Sequence, residues 1–378
     1  MAQSICAPRP AQRKDELPPC EPSENCLQIL ASAALKSDWA RNAEPRSRWW
    51  CPGERPLKSI SAWRAMRFSA KPEGHAVTFD NHTATSLSTD DARATTRLKR
   101  IVSRRDATLL AGAPNALFAR LIEDLGFEAV YLSGAGIANM NFGIPDVGLT
   151  TLTEVCTTLS AVAEVVNIPI VVDADTGFGN PVNMTRTIRL LERAGAAGIQ
   201  IEDQVFPKKC GHFSGKDVIP LPEMLQKLRA ALDTRRDGDL QIIARTDAYA
   251  TLGFQAALDR AAAFAEAGAD VIFLEAPTHE TELLQIPRAI DAPHIVNIVF
   301  GGLTPAVPQA QLREAGFSLV LYANATLQAA LRGAREVLEA LARDGSLDAV
   351  SHRIATFDER QTVVRKPEFD ALDTRYRT

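Results

Sequence analysis

Residues 169–203 read PIVVDADTGFGNPVNMTRTIRLLERAGAAGIQIED and contain one complete structural unit. Pro169–Asp175 is a short run of branched apolar residues ending in two acids. Pro181–Ala194 follows with apolar residues at helical spacing. It opens on a proline, where the missing N–H costs nothing, and is closed by Gly195, where a left-handed residue is needed. Gly198–Asp203 is a second apolar run ending in acids. Strand, helix and strand in this order make a parallel pair, and strands that are apolar without alternation are buried on both faces.

Outward from this unit the texture repeats. β-rich runs are read at Thr108–Ala111, Ala129–Ser133, Pro169–Asp175, Gly198–Asp203, Gln241–Asp247, Val271–Ala276, His294–Val299 and Ser318–Asn324. Helical stretches such as Phe254–Ala267 and Gln309–Ala315 separate them, with Gly268 and Gly316 just past two helix ends and Pro114, Pro222 and Pro305 at or near helix starts. Eight alternations is the number that closes an α/β (β/α)8 barrel. A doubly wound open sheet is the alternative. It would normally carry a glycine-rich turn after its first strand, and Ala111-Gly112-Ala113-Pro114 is not that fingerprint.

Bulk composition narrows the function classes. The 378 residues are 46% hydrophobic and 23% charged with a formal net charge of −4, so no basic footprint for nucleic acid is visible. No apolar run approaches the roughly 20 residues that span a bilayer. The first residues carry Arg9, Arg13, Lys14, Asp15 and Glu16 without an apolar core, so a secretory signal is not expected and the six cysteines read as reduced thiols of a cytoplasmic protein. Residues 1–95 differ from the rest. Prolines punctuate them, no amphipathic period persists, and they read as an irregular extension before a catalytic barrel at 96–345 and a helical or irregular tail at 346–378. Cys6, Cys20, Cys26 and Cys51 lack the short paired spacing of a zinc site. An alternative is that translation starts at Met66.

The carboxyl ends of barrel strands converge on one face, where active sites form. Here those ends deliver Ser133 and Gly134, Asp173 and Asp175, Glu202 and Asp203, Arg245 and Asp247, Glu275, Asn297 and Asn324. Any one of these would be at home in a solvated loop; all of them at strand ends argue for a site. Asp173 and Asp175 lie two apart, so an extended strand would point both to one side, where like charges repel unless a cation neutralises them. Oxygen ligands without His or Cys favour Mg²⁺, with Mn²⁺ as a substitute. Glu202 and Asp146 could complete the shell through waters. The plainer alternative pairs one acid with Arg245 and binds no metal. Ser133-Gly134-Ala135-Gly136 offers backbone N–H groups that can cradle a carboxylate, and Arg245 offers a fork for another. Lys208-Lys-Cys-Gly-His212 places a thiol between cations, which would lower the Cys210 pKa below the roughly 8.5 of a free thiol and suit it to proton transfer. A surface loop with a chance cysteine is the competing reading.

With these residues assembled, the chain resembles the isocitrate lyase and phosphoenolpyruvate mutase superfamily over about residues 100–345. The motifs are Tyr131-Leu-Ser-Gly134, Asp173-Ala-Asp-Thr-Gly-Phe-Gly179, Ile201-Glu-Asp-Gln204, Lys208-Lys-Cys-Gly-His212 and Ala244-Arg-Thr-Asp-Ala248. The run containing Cys210 points to the short-lyase branch, which holds methylisocitrate lyase, dimethylmalate lyase and oxaloacetate-cleaving relatives. The resemblance implies a (β/α)8 barrel whose last helix is exchanged between protomers of a homotetramer or dimer. It implies Mg²⁺ on Asp173 and Asp175, with Asp146 and Glu202 acting through its waters. Ser133, Gly134 and Ala135 would bind the 2-oxo-acid carboxylate beside Arg245. Cys210 would be the acid/base on carbon, on a loop that closes over substrate and is positioned with Lys208, Gly211 and His212, while Glu275 and Asn297 support the same end of the substrate.

The implied reaction is carbon–carbon cleavage of a 2-hydroxy di- or tricarboxylate to a 2-oxo acid such as pyruvate plus a carboxylate. Two positions depart from the pattern: Phe300 stands where the short lyases usually carry a glutamate, and Phe213 where methylisocitrate lyases carry an arginine. Both lean the expected substrate toward a dimethylmalate-like acid or oxaloacetate. Hydrolysis or decarboxylation of oxaloacetate at the same site, and a non-catalytic barrel used as a binding scaffold, are the alternatives.

Overall fold

The computed structural model describes residues 92–211 and 215–377. The expectations for the N-terminal cysteines, for a start at Met66, and for His212 and Phe213 lie outside the described residues.

Eight parallel strands close on themselves in sequence order: β1 (Thr108–Ala113), β2 (Val130–Leu132), β3 (Ile170–Asp173), β4 (Gly198–Glu202), β5 (Gln241–Thr246), β6 (Val271–Leu274), β7 (His294–Asn297) and β8 (Leu319–Tyr322). β8 pairs back onto β1, with Thr108 opposite Leu319, so the sheet has no edge. The barrel reading therefore holds, and each expected run matches one strand, β1 extending two residues beyond the expected Ala111. The strands read as apolar throughout because both faces are covered. Ile170, Val172, Ile199, Ile201, Ile242 and Ala244 face outward onto Met184, Ile188, Leu228 and Phe264 of the surrounding helices. Leu110, Tyr131, Val171, Ile243, Phe273, Ile295 and Leu319 fill the interior.

Helix punctuation follows the sequence. Asn180 caps the helix Pro181–Arg193 by accepting from Val182 and Asn183 N–H, and Gly195 beyond its end has φ 105°. Pro305 is a correction: Pro308, not Pro305, stands at the cap of Gln309–Ala315.

One element escaped the sequence reading. Helix Ala94–Ser103 buries Leu98, Ile101 and Val102 against the inward-facing strand residues and plugs the amino-terminal end of the barrel. A Cβ on Gly198, at the start of β4, would stand 2.8 Å from Leu98 Cδ2, so this position must be small for the plug to seat. After β8, the helix Ala325–Asp344 buries only Ala340, and two further helices, Phe357–Val363 and Lys366–Tyr376, bury no residue. Among the described residues no helix is long and apolar enough to cross a membrane.

Candidate active site

Asp173 is the last residue of β3, and its side chain is held from three directions. Gln200 Nε2 donates to Oδ1 at 3.2 Å, Asp175 N–H to Oδ1 at 3.1 Å and Gly134 N–H to Oδ2 at 3.4 Å. Gln200 is fixed in turn by Tyr131, whose hydroxyl donates to Oε1 at 2.8 Å. All five residues are buried, and burial together with the charge of Asp173 pushes the Tyr131 phenol well above its usual range, so it stays a donor.

Asp173 and Asp175 come together as expected but for a different reason. β3 has ended before Asp175, which has φ 47° and so turns through the left-handed region rather than continuing a strand. Phe178 (φ 58°) and Ala276 (φ 54°) are likewise left-handed near strand ends, and such strain in non-glycine residues gathers at functional sites. The turn brings both carboxylates onto Gly134, where a Cβ would stand 3.1 Å from Asp173 Oδ2 and 3.3 Å from Asp175 Oδ1.

The charges around this pair are unbalanced. Burial, only partly opposed by Lys208, raises the Asp175 carboxyl to about 7. Lys208 Nζ is 2.7 Å from Asp175 Oδ1, an ion pair without hydrogen-bond geometry, and also bonds Asp146. Burial works against the Lys208 ammonium, yet Asp175, Glu202, Asp146 and Asp173 together hold it well above its usual range, so it remains charged. Glu202, at the end of β4, is raised well above the carboxylate range by burial despite Arg245, and its Oε1 has no hydrogen-bond partner. Neither Asp173 nor Asp175 pairs with Arg245, so the metal-free pairing considered from sequence is not what forms.

These features fit a hard cation. Two converging carboxylates lie against Gly134, where a side chain would crowd them, with a buried acceptor oxygen on Glu202 nearby. Asp173 and Asp175 would supply direct ligands and Asp146 and Glu202 would lie around them; among the described residues no three His, Cys, Asp or Glu side chains already form a ligand cluster.

Other expected residues are placed differently. Arg245 does not present a free fork: its Nε and NH2 bind Asp247 at 2.9 and 3.0 Å, leaving NH1 3.4 Å from Glu202 and NH2 3.8 Å from Glu275. Burial alone would raise Asp247, but Arg245 and Lys216 together hold it down at about 2. Of the three amides expected to cradle a carboxylate, Ser133 N–H bonds Ala113 O and Gly134 N–H bonds Asp173, so Ala135 is the one left for it. The Ser133 hydroxyl caps Gly136 N–H at 3.1 Å. Asp203 is not a rim residue but the centre of a buried network, accepting from Thr246 Oγ1 at 2.7 Å, Asp247 N–H at 2.9 Å and Arg260 Nε at 2.9 Å.

Cys210 lies on an excursion that leaves β4 and returns at Val218, joined at its base by Ile219 N–H to Asp203 O at 2.8 Å and Val205 N–H to Asp217 O at 2.9 Å. The flanking lysines each have a partner of their own. Lys208 turns to the carboxylates, and Lys209 Nζ donates to Gly215 O at 2.6 Å. Cys210 shares a cavity of about 690 Å³ with Ala135, Asp146, Asn324 and Phe300. Asn297 ends β7 buried, with no hydrogen-bond partner for its Oδ1. Gln200, Gln204, Lys216 and Arg260 were missed from sequence; only Gln200 had a visible signal, since it shares inward parity with Gly198 and Glu202 on β4.

Residues 98–342 match the model of the phosphoenolpyruvate phosphomutase family. The chain belongs to that family. It is 39% identical over 282 residues to 2,3-dimethylmalate lyase of Eubacterium barkeri, spanning 75% of this chain and 98% of that one. It is 42% identical over 276 residues to 2-methylisocitrate lyase of Aeropyrum pernix, spanning 73% and 89%. A solved phosphonopyruvate hydrolase in complex with oxalate and Mg²⁺ superposes with a TM-score of 0.69 at 28% identity, covering 76% of this chain and 100% of that one.

Proposed function

We propose that this chain is a Mg²⁺-dependent carbon–carbon lyase. Its substrate is a 2-hydroxy di- or tricarboxylate of the 2,3-dimethylmalate or 2-methylisocitrate type, cleaved to a 2-oxo acid such as pyruvate and a carboxylate. The observation that carries the reading is the convergence of the Asp173 and Asp175 carboxylates on Gly134, on the barrel rim to which Cys210 belongs. The two lyases above support the reaction class, and the oxalate and Mg²⁺ bound by the hydrolase support the cofactor.

Bound on Asp173 and Asp175, Mg²⁺ would polarise the substrate's C2 hydroxyl and carboxylate. Ala135 N–H and Arg245 NH1, which lies a loose 3.4 Å from Glu202, orient that carboxylate. Glu202, ionised once Mg²⁺ offsets the burial that raises its carboxyl, would receive the hydroxyl proton on its unpartnered Oε1. The C2–C3 bonding pair then passes to the departing fragment, whose carboxylate becomes enediolate-like, while C2 becomes a carbonyl. Asn297, through its amide N–H, meets the developing charge, a role His212 shares. Cys210 donates its thiol proton to the former C3, completing the carboxylate product. Lys208 keeps positive charge beside Asp146 and Asp175 throughout. The enzyme would work as a dimer or tetramer, consistent with Leu331, Leu338 and Leu341 standing exposed on helix Ala325–Asp344.

The test is a product screen with Mg²⁺ against 2-methylisocitrate, 2,3-dimethylmalate and oxaloacetate. Pyruvate plus a carboxylate is expected from one of the first two, abolished by EDTA and restored by Mg²⁺. Oxalate plus acetate, or pyruvate plus CO2, from oxaloacetate alone would replace the lyase reading. No turnover of any of the three, with or without EDTA, would overturn it.

A further inference from the structure

Two side chains with no part in the chemistry above bracket Cys210. On its amino-terminal side, Gln204 pairs with the Lys209 peptide through both ends of its amide. Nε2 donates to Lys209 O and Oε1 accepts from Lys209 N–H, each at 2.8 Å. On its carboxyl-terminal side, Lys216 Nζ donates to Gly211 O and, at 2.7 Å, to Asp247 Oδ1. A lysine in a surface loop ordinarily extends into water, but the Lys216 side chain is only 1% exposed and its partner Asp247 is fully buried. Burying an ammonium is costly unless it is paired and fully hydrogen-bonded, and this one spends a proton on a loop carbonyl.

The anchors are rigid. Gln204 follows β4 by two residues and Asp247 directly follows β5. Asp247 is held by the Arg245 fork and by its own N–H on Asp203. Between the clamps Gly211 presses so closely on the rim that a Cβ would stand 2.1 Å from Glu275 Oε1 and 2.4 Å from Arg245 NH2. We propose that Gln204 and Lys216 are positioning residues: they fix the peptides on either side of Cys210 to β4 and β5, the strands that carry Glu202 and Arg245, and so set where the thiol stands over the barrel mouth. The claim rests on the reading of Cys210 as proton donor.

The experiment uses the full chain and its Lys216→Met, Lys216→Arg and Gln204→Met variants. The readouts are kcat, KM and the rate of iodoacetamide modification at Cys210, resolved by peptide mass spectrometry with Cys156 as the internal reference. Loss of one clamp should speed modification of Cys210 and lower kcat by roughly 10- to 100-fold, the equilibrium weight of one hydrogen bond to a charged group for Lys216 or of two neutral ones for Gln204. KM should move less than about threefold, because substrate-binding groups are untouched. Lys216→Arg should recover part of both changes. Unaltered Cys210 modification in both Met variants would overturn the proposal, and so would faster modification with unaltered kcat. If Lys216→Met does not fold, Gln204→Met decides, since it removes no charge. If wild-type protein turns over none of the substrates, the proposed function falls while the modification rates still decide the clamps.

Discussion

Replacing Arg260 by leucine should expose how the rim is held up from behind. Arg260 is almost fully buried on helix Phe254–Glu266; its Nε donates to Asp203 and its NH2 to Ile219 O, both at 2.9 Å. The leucine variant leaves Asp203, which has no exposure, with only the neutral donors Thr246 and Asp247 N–H, and leaves the Ile219 carbonyl short of a partner. Removing one member of a buried pair costs about 3–5 kcal/mol. The Asp203 carboxyl is already raised by burial and by Asp247, and losing Arg260 raises it further. A carboxyl whose folded pKa lies above its unfolded value keeps its stability below the unfolded pKa and loses it as pH rises through the folded one. Urea unfolding followed by circular dichroism should therefore show the variant's deficit to be larger at pH 8 than at pH 5. Adding Asp203→Asn should recover most of the loss, because the orphaned charge is gone. A deficit under about 1 kcal/mol, equal at both pH values, would refute the assignment of Asp203 as a charge that needs Arg260.

Three further outcomes follow. Cys210→Ser should bind substrate normally but lose about 10²- to 10⁴-fold in kcat, and near wild-type turnover in a steady-state assay would remove Cys210 from the proton-transfer role. Gly134→Ala places a methyl within 3.1 and 3.3 Å of the two acids. The half-saturating Mg²⁺ concentration should rise about 10- to 100-fold with stability within about 1 kcal/mol of wild type, and an unchanged Mg²⁺ requirement would speak against this cradle. His294 is held neutral to about 4 from an ordinary 6.5, chiefly by burial. An unfolded chain protonates it first, so its contribution is present above about pH 6.5 and lost as pH falls toward 4. About 2 kcal/mol should disappear between pH 8 and pH 5, and His294→Gln should flatten that part of a stability–pH curve.

The barrel was legible because its signals are local. An apolar run buried on both faces, a proline or asparagine at a helix start and a left-handed glycine at its end each act within a few residues. The site was legible where strand ends delivered its acids, as with Asp173 and Glu202. What stayed hidden depends on partners far along the chain. Nothing near Arg260 announces that it meets Asp203, 57 residues earlier, or that Lys216 turns inward to Asp247. The same limit explains the two misplaced charges. Arg245 looked free for substrate because Asp247, two residues away, was read as a rim acid of its own, and Lys208 looked like a neighbour of the thiol because the carboxylates it meets, Asp146 and Asp175, are close only in the fold. The helix Ala94–Ser103 went unread because its apolar face, Leu98, Ile101 and Val102, has no meaning until there is a barrel floor for it to fill.

That floor decides the traffic through the enzyme. With Leu98 seated against Gly198, the amino-terminal end offers no passage, and a substrate that enters over the rim has to leave by the route it came. Substrate and products share this one doorway, on whose rim Cys210 lies. On the proposed reading, a segment that carries Cys210 over bound substrate has to withdraw in each cycle, and the rate of that withdrawal is an upper bound on turnover however fast the carbon–carbon bond breaks.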